Sequence, residues 1–224
     1  MWISEIWRYP VKSMGGEPLQ RATLRADGVE GDRVVHVAGD GGRVYTARTK
    51  PKLLGHRGTL SAEGEPLIDG RPWADPSVAE DVRAAAGPSA RLVRYDGDAR
   101  FDILPLLVAT DGAITAFGYD RRRLRPNLVI GGVEGLAERG WEGKRLRIGG
   151  AHGAVIGIRD LRDRCIMTTF DPDTLAQDVD VLRSIRARFG GSLALNCAVL
   201  RGGALALGDA VELIDAPWMM GSDP

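Results

Sequence analysis

The residue with the most chemistry to offer is Cys165, set in the run Arg162-Asp163-Arg164-Cys165-Ile166-Met167-Thr168-Thr169. Guanidiniums beside a thiol favour its thiolate by charge proximity, and a poised thiolate is a nucleophile or a soft metal ligand. The same residue also reads as a small buried hydrophobe, since free cysteine is among the most buried residue types. Cys197, inside Leu195-Asn196-Cys197-Ala198-Val199, has apolar neighbours and reads as core filling. Two cysteines form at most one bridge and cannot supply the four ligands of an iron–sulfur cluster or a Cys-rich zinc site. Redox chemistry on this chain therefore needs a borrowed cofactor. His36, His56 and His152 are scattered without metal-ligand spacing, and no G-x-x-x-x-G-K-[ST] loop exists for nucleotide hydrolysis.

The second kind of chemistry is anion binding. In Arg125-Pro126-Asn127, a fixed-φ proline pins an arginine and an amide just before the apolar run Leu128-Val129-Ile130. Tyr9-Pro10-Val11-Lys12-Ser13 repeats the design with a lysine and a hydroxyl, while Asp32-Arg33 and Thr46-Ala47-Arg48 add two more cations at strand ends. Singly each reads as surface charge. Together with one activated cysteine they suit a polyanionic ligand that carries a soft metal.

These residues need strands to hold them. Short β-branched and aromatic segments separated by Gly-rich punctuation predict strands over 2–8, 19–25, 33–38, 43–47, 91–95, 127–131, 145–148, 154–158, 165–170, 194–200 and 210–214. Gly39-Asp40-Gly41-Gly42 and Gly149-Gly150 read as tight connections. Helical periodicity is confined to 78–86, opened by Asp75-Pro76, to 113–118, and to 175–189, with Asp173 or Thr174 as cap and Gly190 as stop. Many strands, few helices and no βαβ alternation predict a mainly β, α+β chain of barrel type, with an interruption near 87–100. The 30 basic and 30 acidic side chains cancel, so no global field draws the chain to nucleic acid or to an anionic membrane. Glu5 and Arg8 break any secretory signal, and the longest uncharged apolar run, Ile103 to Ala109, falls far short of the ~18 residues of a membrane span. A cytoplasmic protein is expected.

The motifs, taken in order, resemble a family. Tyr9 to Ser13, Gly28-Val29-Glu30-Gly31-Asp32-Arg33, and Thr46-Ala47-Arg48 with Pro51 resemble the N-terminal β-barrel domain that precedes MOSC (molybdenum cofactor sulfurase C-terminal) domains. Arg125-Pro126-Asn127, Trp141-Glu142-Gly143, Arg164-Cys165 with Thr168 to Asp173, and Gly208-Asp209-Ala210-Val211 resemble the MOSC domain, most of all its amidoxime-reducing-component branch. The resemblance implies an N-terminal barrel domain over 1–95 packed against a MOSC β-barrel domain over 96–224. It also implies the pterin molybdenum cofactor, with Cys165 as metal ligand and catalytic centre and Lys12, Ser13, Arg33, Arg48, Arg125 and Asn127 holding the pterin and its phosphate. The implied activity is reduction of N-hydroxylated substrates such as amidoximes and hydroxylamines, with electrons from a separate ferredoxin or flavin reductase. A carrier of the cofactor, or of sulfur on Cys165, is the alternative. Two positions depart from the family pattern: Arg162 stands where many relatives have a second cysteine, and Leu175 where they usually have glycine.

Overall fold

The computed structural model describes residues 1–95 and 100–217. An eight-stranded sheet forms its frame. In spatial order its strands are Val211–Ile214, Arg145–Ile148, Ala154–Asp163, Ser192–Arg201, Leu106–Thr110, Leu128–Gly131, Trp2–Arg8 and Glu17–Leu19. One face buries Ile3, Ile6, Leu106, Val108, Leu128, Ile130, Leu146, Ile156, Ile158 and Cys197 in a single apolar cluster. The period-2 alternation of strands with one face in the core generates that pattern.

The two ends of the chain are interwoven. Trp2–Arg8 pairs antiparallel with Leu128–Gly131, Ile6 opposite Leu128, and Gly203–Ala206 pairs with Arg21–Arg25. A second core gathers Val11, Met14, Val35, Val37, Leu53, Ile68, Val78 and Val82 under the helix Pro76–Ala86. Asp75 caps that helix through the Ser77 amide, with Pro76 at its first position. A third cluster packs Phe117 of the helix Asp111–Phe117 with Val181, Ile185 and Phe189 of the helix Val179–Phe189.

The expected architecture, mainly β with three α-helices among the described residues, holds. Gly149-Gly150 turns the chain between Arg145–Ile148 and Ala154–Asp163. Gly39 to Gly42 connects Val35–Ala38 to Val44–Tyr45. Three expectations are corrected. Residues 165–170 are a 3₁₀ turn over Ile166–Thr169, not a strand: Thr168 Oγ1 donates to Cys165 O at 2.8 Å and Thr169 Oγ1 to Ile166 O at 2.6 Å, so the hydroxyls tie the backbone back on itself. The last helix begins at Val179 and not at 175, because Leu175 has φ +60° and Asp178 supplies the cap. One βαβ unit does exist: Leu106–Thr110 runs parallel to Leu128–Gly131, joined through the helix Asp111–Phe117. Of the expected interruption near 87–100, the Asp96-Gly97-Asp98 part lies outside the described residues. No described helix is long and apolar enough to cross a membrane.

Candidate functional site

The antiparallel pairing of Trp2–Arg8 with Leu128–Gly131 places the exit of the first strand beside the entrance of the second, with Trp7 N donating to Asn127 O at 2.8 Å. The Tyr9-to-Ser13 and Arg125-to-Asn127 motifs are thereby brought together although more than a hundred residues separate them. Both face a cleft that also receives Arg33, Arg48 and Cys165, so all seven residues singled out in the sequence line one cavity. It holds about 860 Å³ of empty space, its open mouth included. Cys165 is half-buried on that wall, whereas Cys197 is fully buried, with burial pushing its thiol up.

Backbone strain concentrates here. Among the described residues six non-glycine residues have positive φ, and three of them are Ser13 (+72°), Arg33 (+51°) and Arg125 (+57°). Each costs about 1–2 kcal/mol relative to ordinary backbone and persists only because the surroundings impose it. Asp32 is one such constraint. Fully buried, it accepts Tyr9 N at 2.7 Å and pairs with the Arg33 guanidinium. Burial raises the Asp32 carboxyl, while Arg33, the Tyr9 amide and the Asn127 amide pull it back.

Tyr9 is not itself on the cleft wall; its aromatic ring is the floor beneath two of the guanidiniums that are. Arg125 lies 4.3 Å above its centroid and Arg33 5.5 Å, while its hydroxyl donates to Pro126 O at 3.2 Å. Burial pushes the Tyr9 phenol up, so it stays neutral under two guanidiniums. Burial also holds Arg125 and Arg164 down to about 10. Among the described residues neither has a carboxylate within 4 Å, and Arg164 Nε is buried with no partner. A guanidinium that lines a cleft without a carboxylate partner can serve as an anion donor.

At the cleft's other end Asp102 collects three cations. Its carboxylate lies 2.8 Å from Lys12 Nζ, 2.6 Å from Arg48 Nη2 and 3.8 Å from Arg162 Nη2. Arg48 in turn lies close enough to the Cys165 side chain to interact with it electrostatically. Arg162 Nη1 donates to Asn196 Oδ1 at 3.3 Å, and Asn196 also lines the cleft. Ser13 Oγ accepts Ala47 N at 3.0 Å, leaving its own proton to donate. Asn127 differs from the rest. Its Oδ1 accepts Leu107 N at 3.1 Å and its Nδ2 donates to Trp7 O at 3.4 Å, so the amide splices two strands and fixes the cleft wall.

Sequence reasoning left Arg123, Arg162, Arg164, Asp102 and Asn196 out of the binding set. Arg162 and Arg164, beside Cys165, and Arg123, in the basic run Arg121-Arg122-Arg123, carried a local signal. Asp102 carried none.

The residues present fit a ligand that joins an anionic tail to a thiophilic centre: a half-buried sulfur at one place, and guanidinium, ammonium and hydroxyl donors from both parts of the chain around it. Comparison with known proteins bears on which ligand. Residues 1–74 match the MOSC N-terminal beta barrel domain and residues 112–212 the MOSC domain. The mitochondrial amidoxime reducing component 2 proteins of Macaca fascicularis and Homo sapiens are each 24% identical over 82% of this chain and 72% of theirs. The solved YUAD protein from Bacillus subtilis aligns over 95% of this chain and 98% of its own, at 15% identity and a TM-score of 0.49.

Proposed function

From the premise that this chain is a MOSC-domain protein carrying the MOSC N-terminal barrel domain, we propose that its cleft binds the pterin molybdenum cofactor and reduces N-hydroxylated compounds. The observation that carries the reading is the convergence of Cys165 with guanidiniums that have no carboxylate partner among the described residues, Arg125 and Arg164, in one open cavity. In this reading Cys165 Sγ ligates the metal. Arg125, Arg164, Arg33 and Ser13 hold the phosphate and pterin, with Lys12 and Arg48 at the Asp102 end. When bound, the cofactor supplies two-electron oxygen-atom chemistry at a metal softened by sulfur ligands.

The chain's own part is positional and electrostatic. The Tyr9 floor and Asp32 fix Arg125 and Arg33 before any ligand arrives, so little reorganisation accompanies binding. Arg48 puts its positive charge beside the Cys165 sulfur, the kind of outer interaction that tunes a metal-bound thiolate. Asp102 keeps Arg48 in that position. The named activity of the amidoxime reducing components, 24% identical, supports the substrate class. With two cysteines, too few for an iron–sulfur cluster, we assign the electron supply to a separate ferredoxin or flavin reductase. We place the domain division at residues 95 and 96.

Elemental analysis of protein made in a cofactor-competent host tests the reading. Wild type is expected to carry close to one molybdenum per chain and to reduce an amidoxime with an artificial electron donor. Cys165→Ala is expected to lose both. Wild type without molybdenum, or Cys165→Ala with undiminished turnover, overturns the proposal.

A further inference from the structure

A second cavity opens between the same two parts of the chain. It shares Arg123, Arg125 and Met167 with the Cys165 cleft but contains none of Lys12, Ser13, Arg48 or Cys165. About 1100 Å³ of empty space lies inside it, mouth included, enough for a small organic molecule.

Its walls are of two kinds. One is aromatic and apolar: Trp7, Leu54, Phe170 and Pro172. The Trp7 ring is held in place, since its Nε1 donates to Glu5 Oε2 at 2.7 Å and it stacks on Tyr9 at 6.4 Å with planes 18° apart. A fixed ring offers stacking area without the entropy cost of ordering it. The other wall is predominantly cationic, with one carboxylate, Asp173, which is paired with Arg122 at 2.6 Å. Arg57 is exposed and has no carboxylate within 4 Å among the described residues, unlike its neighbour His56, which pairs with Asp69 at 2.8 Å. Arg125 is similarly uncompensated and reaches this cavity as well as the first.

Leu175 closes the construction. Its backbone sits at φ +60°, where a glycine would be at ease, yet a leucine stands there, and its Cδ1 approaches to 3.0 Å of where a Gly55 side chain would begin. Strain retained at a non-glycine position is explained when the side chain has work to do. Here it packs over Gly55, which lines the cavity.

We propose that this cavity is a second binding site, for a small molecule that joins an aromatic ring to an anionic group, the ring against Trp7 and the anion on Arg57 and Arg125. The inference goes beyond the cofactor reading and does not depend on it, because no metal takes part.

The experiment titrates the full chain with 2-naphthalenesulfonate and follows the indole N–H resonance of Trp7, assigned through Trp7→Phe. Saturable movement with Kd below about 1 mM is expected, with sulfate and 2-naphthol each at least ~10-fold weaker. Arg57→Ser is expected to weaken binding about 5-fold and Leu175→Gly to weaken it detectably, while Arg48→Ser, which lines only the first cleft, leaves it unchanged. An unmoved Trp7 resonance overturns the proposal. So does binding that Arg48→Ser abolishes and Arg57→Ser spares, which would place the ligand in the cofactor cleft. Chains found free of molybdenum would still bind the sulfonate if the inference is right, so the two readings fail separately.

Discussion

Replacing Asp102 by asparagine is expected to tighten anion binding in the Cys165 cleft about tenfold. In the ligand-free chain this one carboxylate neutralises Lys12 at 2.8 Å and Arg48 at 2.6 Å, with Arg162 at 3.8 Å. A phosphate dianion engaging the same cations would sit roughly 5 Å from it, and a unit charge repels a dianion at that distance by about 1.7 kcal/mol in water-like dielectric. The side chain of Asp102 is 32% exposed, so that screened value applies, not a buried one several times larger. Removing the charge returns about 1.7 kcal/mol, and slightly less after the cations lose their shared anchor. The direct assay is calorimetric titration with inorganic phosphate at low ionic strength. Repetition near 0.5 M salt should shrink the gain, because the screening length falls below the separation. The same variant should melt earlier than wild type without phosphate, since three cations then face one another uncompensated. Phosphate affinity that is unchanged or weaker in Asp102→Asn would refute the reasoning and make Asp102 a member of the anion-holding set.

Two stability predictions probe the frame around the cleft. Glu138 is fully buried, its Oε2 accepts from Thr110 at 3.3 Å and its Oε1 has no partner, and burial raises its carboxyl. The folded chain therefore holds a proton that the unfolded chain releases near pH 4.3. That contribution is complete below this pH and is lost as pH rises through the folded value. Glu138→Gln should thus gain in melting temperature over wild type progressively from pH 4 to pH 8, and a pH-independent difference would contradict the account. Gly16→Ala places a Cβ 2.4 Å from Arg8 O and 2.5 Å from Tyr9 Cδ1. Overpacking of this order costs about 1–3 kcal/mol, so the melting temperature should fall by roughly 5 °C, and an unchanged melt would show that the Tyr9 floor is softer than described.

What the sequence revealed was local, and what it concealed was long-range. The prolines after Tyr9 and Arg125 mark strand ends because their ring geometry does so in any fold, which made Lys12, Ser13, Arg125 and Asn127 legible. The strand Leu106–Thr110 was not. It lies in the middle of the sheet, buried on both sides, so its apolar run lacks the alternation that identifies a half-exposed strand. Residues 165–170 misled in the opposite direction. Their Ile and Thr content resembles a strand, but threonine hydroxyls can also close a tight turn, and here they do. Asn127 was legible as a polar residue at a strand entrance, yet its amide is spent on Leu107 and Trp7, partners that only the pairing of distant strands supplies. Asp102 follows a stretch with no periodic pattern, and its place among three cations depends on Lys12, Arg48 and Arg162 arriving from three other segments.

Those three arrivals explain why the cleft tolerates so much like charge. Lys12, Arg33, Arg48, Arg123, Arg125, Arg162 and Arg164 all line one cavity, an arrangement that self-repulsion would open if the chain were free to move. Each is tied to an element fixed for another reason. Lys12 N donates to Val35 O, Arg33 N to Tyr9 O, and Arg164 Nη2 to Leu124 O, and the sheet beneath is anchored by its own apolar core. Asp32, Asp102 and Asp171 pair with Arg33, with Lys12 and Arg48, and with Arg123, while Asp163 on the cleft wall accepts from Ser192 Oγ, leaving Arg125 and Arg164 to the Tyr9 ring and a backbone carbonyl. A fold selected only for stability would have replaced one of these arginines with a neutral residue, since burial without a counter-ion lowers both. Their presence beside Cys165, on backbone that three non-glycine residues strain to supply, is what the proposed anion would account for by completing the charge when it binds.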